Sequence, residues 1–209
     1  MSTINSNNVL VVDLSELTAD DIQSLDVETA LLAVNMNRVT QLDGQLRTQM
    51  EGVQAKNDQM AQLTTLQSSL NSVMGFLSAD AKEDTQLGTD LTSHVGLEEE
   101  VNNAMQVAQV QLFKTSDGVL RQGSLGDIDG DGVTDYYAGG INSSVTKGEL
   151  QKALNDVQGM LTNLSNTQQT DMLTLQSTTN KRNEAYDTMT NFLKKDQDSK
   201  NGIISNMRS

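Results

Sequence analysis

The sequence predicts a mainly α protein, in which a long N-terminal helix and a long C-terminal helix form an antiparallel coiled-coil hairpin around a small α/β insertion. Three observations favour this fold class. The 209 residues include no proline, although an average share of about 5% would give about ten. Apolar residues recur at steps of three or four in two long segments. Between them the chain is acidic and then rich in glycine.

Residues 1–25 are predicted to be a flexible N-terminal segment. Its first eight residues are mostly small and polar, Val9 to Leu14 suits a short extended piece, and Thr18 suits a cap for one or two helical turns. The apolar run from Val9 to Val12 is too short for the core of a signal peptide. No run in the chain has the length of a transmembrane helix, so no membrane span is expected.

Residues 26–77 are predicted to form the first long helix. Asp26 and Glu28 lie where negative charge favours a helix start. Gly44 and Gly52 cost about 1 kcal/mol each relative to alanine, which a helix with a packed face can absorb. The apolar positions that define the face are Leu32, Met36, Val39, Leu42, Leu46, Met50, Val53, Met60, Leu63, Leu66, Leu70, Val73 and Leu77.

Residues 78–147 are predicted to be a small insertion domain. A polar, acidic loop is expected from Asp80 to His94, and a helix of about sixteen residues is expected after Gly96, where apolar residues return to helical spacing. Beyond Phe113, glycine-rich turns alternate with short extended pieces at Val119-Leu120 and from Val133 to Tyr137. This pattern predicts a small β-hairpin.

Residues 148–209 are predicted to form the second long helix. Thr146 and Glu149 have the spacing of a capping box, in which a hydroxyl and a carboxylate each accept a hydrogen bond from a backbone N–H at the helix start. Basic residues near the far end suit the negative pole of the helix. The methionines of both helices are predicted to fill the seam between them, namely Met36, Met50, Met60, Met160, Met172 and Met189.

Polar residues interrupt both predicted seams. They are Lys56 and Asn57 in the first helix and Gln168, Thr179 and Arg182 in the second. Polar seam positions can fix register and partner number at a cost in stability. Alternatively, the hairpin is a stable monomer and these side chains face solvent.

The charge and composition of the chain argue against two classes of function, nucleic-acid binding and catalysis. The net charge is −14, and because residues 151–209 carry seven basic and six acidic residues, the first 150 carry −15. Nucleic acid is not an expected partner, since phosphate binding needs a basic stripe. With no cysteine and a single histidine, His94, in an acidic loop, nothing in the sequence supports an enzyme.

One acidic loop has the spacing of a calcium site. Loops of the EF-hand type place oxygen ligands at positions 1, 3, 5, 7 and 9, glycine at 6 and a bidentate carboxylate at 12. Position 6 is Gly132, and position 12 is Ala138, which supplies no carboxylate; Asp117 or Glu149 could complete the shell. The alternative is an exposed acidic turn. The ligands predicted for Ca²⁺ are Asp127, Asp129, Asp131, the Val133 carbonyl and Asp135.

The C-terminal helix contains a distinctive order of residues. Residues 171–195 contain a Leu-Thr-Leu-Gln stretch at 173–176, Arg182 followed by asparagine, Glu184 followed by alanine, and an Asn-Phe-Leu step before the basic pair at 194–195. This order resembles the closing helix of type III secretion needle-tip proteins, in particular that of the V-antigen branch. The segments 148–151 and 202–205 resemble the start and end of the same helix in the EspA filament branch. The middle of the chain shows no such resemblance.

The resemblance implies a secreted virulence protein at the bacterial surface, exported unfolded through the needle with an uncleaved N-terminal signal. It implies self-assembly at the needle tip, as a ring or filament, beneath the translocators that open the host membrane. The implied partners are copies of the same chain, the needle subunit, translocator proteins and a cytoplasmic export chaperone. The residues that match the assembly-critical end of the family are Phe192, Leu193, Ile203, Ile204 and Met207.

The alternative function, from a different functional class, is that of a calcium-binding coiled-coil surface adhesin or stalk protein. The absence of a large globular insertion favours the filament type over the V-antigen type within the family. The sequence does not distinguish a closed ring from an open filament, because symmetry depends on interface angles.

Overall fold

The structure is a computed structural model that describes residues 27–88 and 95–207. In these residues 72% of the chain is helical, so the protein is mainly α, as predicted. The predicted N-terminal segment and His94 lie outside the described residues. The elements in chain order are helix α1 (Val27–Phe76), helix α2 (Val95–Ala108), strand β1 (Gln122–Gly126), strand β2 (Asp135–Ala138) and helix α3 (Lys147–Met207).

The end of α1 at Phe76 and the start of α3 at Lys147 each lie within one residue of the predicted bound. The start of α3 follows from the predicted capping box. The Thr146 N–H donates to Glu149 Oε2 over 2.9 Å, and the Glu149 N–H donates to Thr146 Oγ1 over 3.3 Å. Each of these N–H groups lacks a partner within the helix, so the side chains satisfy both and define its first turn.

The chain divides into two compact units. Unit 1 comprises Met1–Gly52 and Asp171–Ser209, and unit 2 comprises Val53–Thr170. Within unit 2, α1 and α3 pack against each other in antiparallel directions. Gln67 Nε2 donates to Gln158 Oε1 over 2.7 Å, and Gln168 Nε2 donates to Asn57 Oδ1. The two residue numbers add to 225 in each pair, so both pairs belong to the same antiparallel register of the two helices. This packing is compatible with a helical hairpin.

The core of unit 2 is wider than a seam between two helices. α1, α2, α3 and the segments around the two strands all contribute apolar side chains. Among the described residues, Phe113 is the only aromatic residue that is fully buried. Burial of this apolar surface is the main stabilising term for the unit. Its buried members are Leu63, Leu66, Leu70, Val73, Leu87, Val101, Met105, Ala108, Phe113, Ile141, Val145, Leu150, Ala153, Leu154 and Val157.

Unit 1 has a smaller core between the same two helices. Val39 and Leu42 of α1 pack with Ala185 and Tyr186 of α3. Beside them, Arg182 Nε forms an ion pair with Asp43 Oδ1 at 2.5 Å, and its guanidinium lies 5.2 Å from the centre of the Tyr186 ring. Arg182 and Asn57, which interrupt the predicted seams, therefore bond across to the opposite helix.

The prediction that methionines fill the seam is wrong for four of the six residues. Met36, Met50, Met160 and Met172 are exposed, with Met50 at 63% and Met172 at 56% of their surface. Unbranched Met is a good helix former, so its presence on a helix does not require burial. Met105, the one methionine of α2, is fully buried in the unit 2 core.

The two strands form the predicted hairpin, but its first strand lies further along the chain. β1 and β2 are antiparallel, with Gln122 opposite Ala138, Gly123 opposite Tyr137 and a bulge near Gly126. Leu120, which was predicted to lie in the first strand, forms only an isolated bridge with Lys114. β1 has the sequence Gln-Gly-Ser-Leu-Gly, so contacts with α2 and β2 determine its extended form rather than strand propensity.

Candidate functional site

The predicted calcium ligands lie in the loop between β1 and β2. The carboxylates of Asp127, Asp129 and Asp131 are exposed, and one oxygen from each lies within 4.8 Å of the other two. Three carboxylates at this separation repel one another unless a cation lies between them. The structure thus brings together three of the four predicted carboxylate ligands, and this triad could hold a metal ion.

Backbone N–H groups hold these carboxylates in place. Asp127 accepts from Gly130 over 2.8 Å through Oδ1 and from Gly132 over 3.0 Å through Oδ2. Asp129 accepts from the Asp131 N–H over 3.2 Å, and Asp131 accepts from the Val133 N–H over 2.7 Å. Gly132 has φ of 82°, a conformation that favours glycine, as position 6 of a calcium loop requires.

Asp135 is not part of the triad. It is the first residue of β2, and its Oδ2 accepts the Ile128 N–H over 3.1 Å, which closes the base of the loop. Val133, whose carbonyl was the other predicted ligand, lies in the same loop, and 64% of the residue is exposed. Glu149, considered as a further ligand, binds elsewhere: Arg121 Nη2 lies 2.8 Å from its Oε1, and Thr146 donates to its Oε2.

The Glu149 carboxylate joins the insertion to the start of α3. Burial would raise its pKa, but hydrogen bonds from Thr146 and Arg121, together with the charge of Arg121, outweigh that effect and lower the pKa. Arg121 also donates to Ser144 Oγ over 2.5 Å. The lowered pKa keeps this carboxylate ionised, so the ion pair ties the chain before β1 to the cap of α3.

Asn102 of α2 holds the two strands in place, and sequence reasoning missed it. Its side chain is fully buried. Nδ2 donates to the carbonyls of Ser124 over 2.9 Å and Ile141 over 3.1 Å, while Oδ1 accepts the Ile141 N–H over 2.7 Å. A Cβ atom on Gly123 would lie 2.3 Å from Asn102 Nδ2. The glycines at 123 and 140 were the available signal, since they mark a close backbone approach.

A carboxylate of α2 also reaches β1. Glu98 Oε1 accepts the Ser124 N–H over 3.2 Å. Burial raises the pKa of Glu98, the bond from Ser124 opposes that shift, and the charge of Glu99 adds to it. Asn102 and Glu98 together fix the strand from which the acidic loop extends.

The predicted assembly residues lie at the carboxyl end of α3, within unit 1. Phe192 is partly buried, whereas the other four are exposed. The exposed fractions are 45% for Leu193, 58% for Ile203, 53% for Ile204 and 82% for Met207. An exposed apolar group of this kind is typical of a contact surface. We call these five residues the α3 end surface.

No protein-family model, curated protein or solved structure matches the chain. Its function must therefore be inferred from its own residues. Among the described helices, none has both the length and the apolarity that crossing a membrane requires. The acidic loop and the α3 end surface are the two features on which a functional proposal can rest.

Proposed function

We propose that the chain is a secreted subunit of a type III secretion needle tip or filament, and that it self-assembles through the α3 end surface. The observation that carries this proposal is the exposure of four of the five residues that match the assembly-critical end of that family. Leaving Ile203, Ile204 and Met207 in water is unfavourable by roughly 25 cal/mol for each Å² of apolar surface that a partner could bury.

In this proposal the hairpin of α1 and α3 is the structural unit of the assembly. α1 and α3 form an antiparallel coiled-coil hairpin whose cross-helix polar pairs set its register. The needle subunit and the translocators are the neighbours of the assembly, and a cytoplasmic chaperone covers apolar surface of the chain before export. The chain carries out no catalysis; it supports the transfer of effectors into host cells by forming the tip or filament.

Self-assembly is tested by placing charge on the α3 end surface. Leu193→Asp with Ile204→Asp should abolish the rings or fibres that wild-type protein forms, as observed by electron microscopy and sedimentation velocity. The matched control is Met172→Asp with Leu173→Asp, which adds the same two charges to exposed apolar positions of the same helix, 56% and 68% exposed. Circular dichroism checks that both variants stay helical.

Two results would count against this proposal. One is that wild-type protein stays a monodisperse monomer over the whole accessible concentration range. The other is that the control variant loses assembly as completely as the Leu193 and Ile204 variant. An export assay after deletion of residues 1–20 tests secretion separately, since loss of export is expected if these residues contain the signal.

The second candidate function is a calcium-binding coiled-coil adhesin or stalk, and the triad of Asp127, Asp129 and Asp131 is the observation that favours it. Under this alternative the protein is monomeric and binds a host ligand through the insertion. Electron microscopy distinguishes the two proposals, because rings or fibres support the secretion subunit and separate monomers with ligand binding support the adhesin.

A further inference from the structure

The backbone groups of β2 point alternately toward β1 and away from it. In an antiparallel pair of strands, residues that bond to the partner strand alternate with residues whose N–H and C=O groups face outward. The Gly139 N–H donates to the Arg121 carbonyl over 2.6 Å, so these two residues form a bonded pair next to the strands. By the register of the hairpin, the N–H and C=O groups of Ala138 and Tyr136 therefore face away from β1.

The corresponding outer edge of β1 is covered by side chains. The Ser124 N–H donates to Glu98 Oε1, and the Ser124 carbonyl accepts from Asn102 Nδ2. The Gln122 carbonyl accepts from Asn142 Nδ2 over 3.0 Å. Because Ser124 and Gln122 are the residues opposite Tyr136 and Ala138, these bonds confirm which backbone groups face outward.

The outer edge of β2 is open. Within the part of the chain that the structure describes, no hydrogen bond joins the N–H or C=O group of Tyr136 or Ala138 to another element, and the isolated bridges do not involve β2. Two donors and two acceptors thus lie in a row along this edge. Such a row is a template for a further strand, and extended peptides bind exposed sheet edges in this way.

An aromatic side chain lies beside this edge. Tyr137 packs against the core of unit 2, and its hydroxyl donates to the Val110 carbonyl over 3.3 Å. Successive side chains of a strand point to opposite faces, so Tyr136 lies on the other face of the hairpin, where it is 62% exposed. Its ring is available to pack on the side chains of an added strand, including the cationic ones.

The charge around the edge selects the kind of peptide. Residues 95–146 contain eight acidic and two basic residues, a net charge of −6. One of the two basic residues, Arg121, is already paired with Glu149. The three exposed carboxylates of the acidic loop and that of Asp135 lie at the amino end of β2 itself. A peptide that carries lysine or arginine complements this charge.

We propose that the outer edge of β2 binds an extended segment of another protein, with lysine or arginine among its residues, which adds to the hairpin as a third strand. Charge disfavours the occupants that this chain could itself supply. A second copy would bring the same net charge of −6, and residues 1–26 contain five acidic residues and no lysine or arginine. The inference does not rest on the proposed function, because the α3 end surface takes no part in it.

Peptide binding to the full-length protein tests the proposal. The probe is the acetylated and amidated peptide Lys-Thr-Val-Lys-Val-Thr-Lys with a fluorescent label, and anisotropy in chelator-stripped buffer at low ionic strength measures its binding. The same peptide with glutamate in place of each lysine should bind at least about tenfold more weakly. N-methylation of its threonines and valines keeps the charge but removes donors from both edges of the peptide, and should also weaken binding at least about tenfold. Equal binding of the methylated peptide, or no binding of the probe, would overturn the proposal.

Amide exchange followed by NMR shows where the peptide binds. In the free protein the amides of Tyr136 and Ala138 should exchange faster than that of Tyr137, and saturating peptide should slow both at least about tenfold. Slow exchange of both amides without peptide would mean that this chain or a second copy already covers the edge, which would overturn the proposal.

A variant of the edge provides the matched control. Ala138→Pro removes one outward donor, which an edge strand tolerates, and should weaken peptide binding about three- to tenfold. Ala138→Val keeps the N–H and should bind as wild type does. Circular dichroism checks that both variants stay folded. Equal binding by the two folded variants would contradict strand addition at β2.

Discussion

A single buried amide, Asn102, links α2 to both sides of the hairpin. It satisfies the carbonyls of Ser124 and Ile141 and the N–H of Ile141; the two bonds to Ile141 are buried and the bond to Ser124 is partly buried. Each buried group left without a partner costs about 1–3 kcal/mol. The position of the acidic loop therefore depends on a residue that carries no charge.

Asn102→Ala should lower the free energy of unfolding by about 2–3 kcal/mol, because it leaves these backbone groups unpaired in the core. Urea denaturation followed by circular dichroism measures the change. Asn103→Ala, one residue further along α2 and less buried, should cost less than about 0.5 kcal/mol. Equal losses in the two variants would show that Asn102 contributes only its helix propensity.

Two glutamates give stability opposite dependences on pH. The pKa of Glu149 is lowered from 4.5, so its contribution is present above that value and is lost as the pH falls through the lowered pKa. The pKa of Glu98 is raised from 4.5, so its contribution is present below that value and is lost as the pH rises through the raised pKa. Their substitutions should therefore have different effects at neutral pH.

Glu149→Gln should destabilise the protein by about 1 kcal/mol near neutral pH, because it weakens the cap of α3 and removes the charge that faces Arg121. The difference from wild type should shrink as the pH falls through the lowered pKa, because the wild-type carboxylate then becomes protonated as well. Glu98→Gln is the companion variant and should be neutral or stabilising near neutral pH. Denaturation curves across the pH range measure the stability change of each variant. A Glu149→Gln penalty that does not vary with pH would contradict the conclusion that the ionised Glu149 carboxylate stabilises the protein.

At the level of whole elements, apolar burial between α1 and α3 supplies more stability than the pairs that align them. The Arg182 and Asp43 side chains remain 36% and 43% exposed, so their ion pair contributes only about 0.2–1 kcal/mol. Val39, Leu42 and Ala185 beside them are nearly fully buried. The apolar contacts hold the helices together, and the exposed ion pair adds little stability beside them.

The loop between β1 and β2 should bind Ca²⁺ weakly, with a Kd on the order of 10⁻⁴–10⁻³ M, because Ala138 replaces the bidentate ligand. Calorimetry in chelator-stripped buffer measures the binding. Asp129→Asn with Asp131→Asn should abolish the heat, whereas Asp80→Asn with Asp84→Asn removes the same charge from a different loop and should leave it unchanged. Absence of heat with millimolar calcium would show that the loop is an acidic turn.

At the scale of the whole molecule, charge opposes contact between copies. The net charge of −14 is concentrated in the first 150 residues, and residues 151–209 carry +1. Identical chains repel one another at low ionic strength, and salt screens that repulsion with a Debye length of about 10 Å at 0.1 M. An interface on the α3 end surface uses the least acidic part of the chain and so reduces the repulsion.

Raising sodium chloride from about 0.05 M to about 0.5 M should therefore increase the assembled fraction at a fixed protein concentration. Sedimentation velocity measures this fraction, and the Leu193 and Ile204 variant provides the baseline. A fall in the assembled fraction with salt would mean that ion pairs between copies, and not apolar contacts, hold the assembly together.

The amino-acid sequence alone determined the two long helices and the cap of α3. Their signals are local, because the spacing of three or four along a helix and the pairing of Thr146 with Glu149 depend only on near neighbours in the chain. The same is true of the acidic loop, in which Asp127, Asp129 and Asp131 lie close in sequence and come together in space. Contacts between distant residues leave no such pattern.

Only the tertiary structure decided the position of β1, the role of Asn102 and which apolar residues of the helices are buried. β1 is extended because β2 pairs with it and Asn102 binds Ser124 from a helix 22 residues away in the sequence. Met50 and Met172 fit a helical pattern but are exposed, since periodicity identifies a face without showing what covers it. Burial depends on partners that fold in from elsewhere in the chain, and local sequence does not specify them.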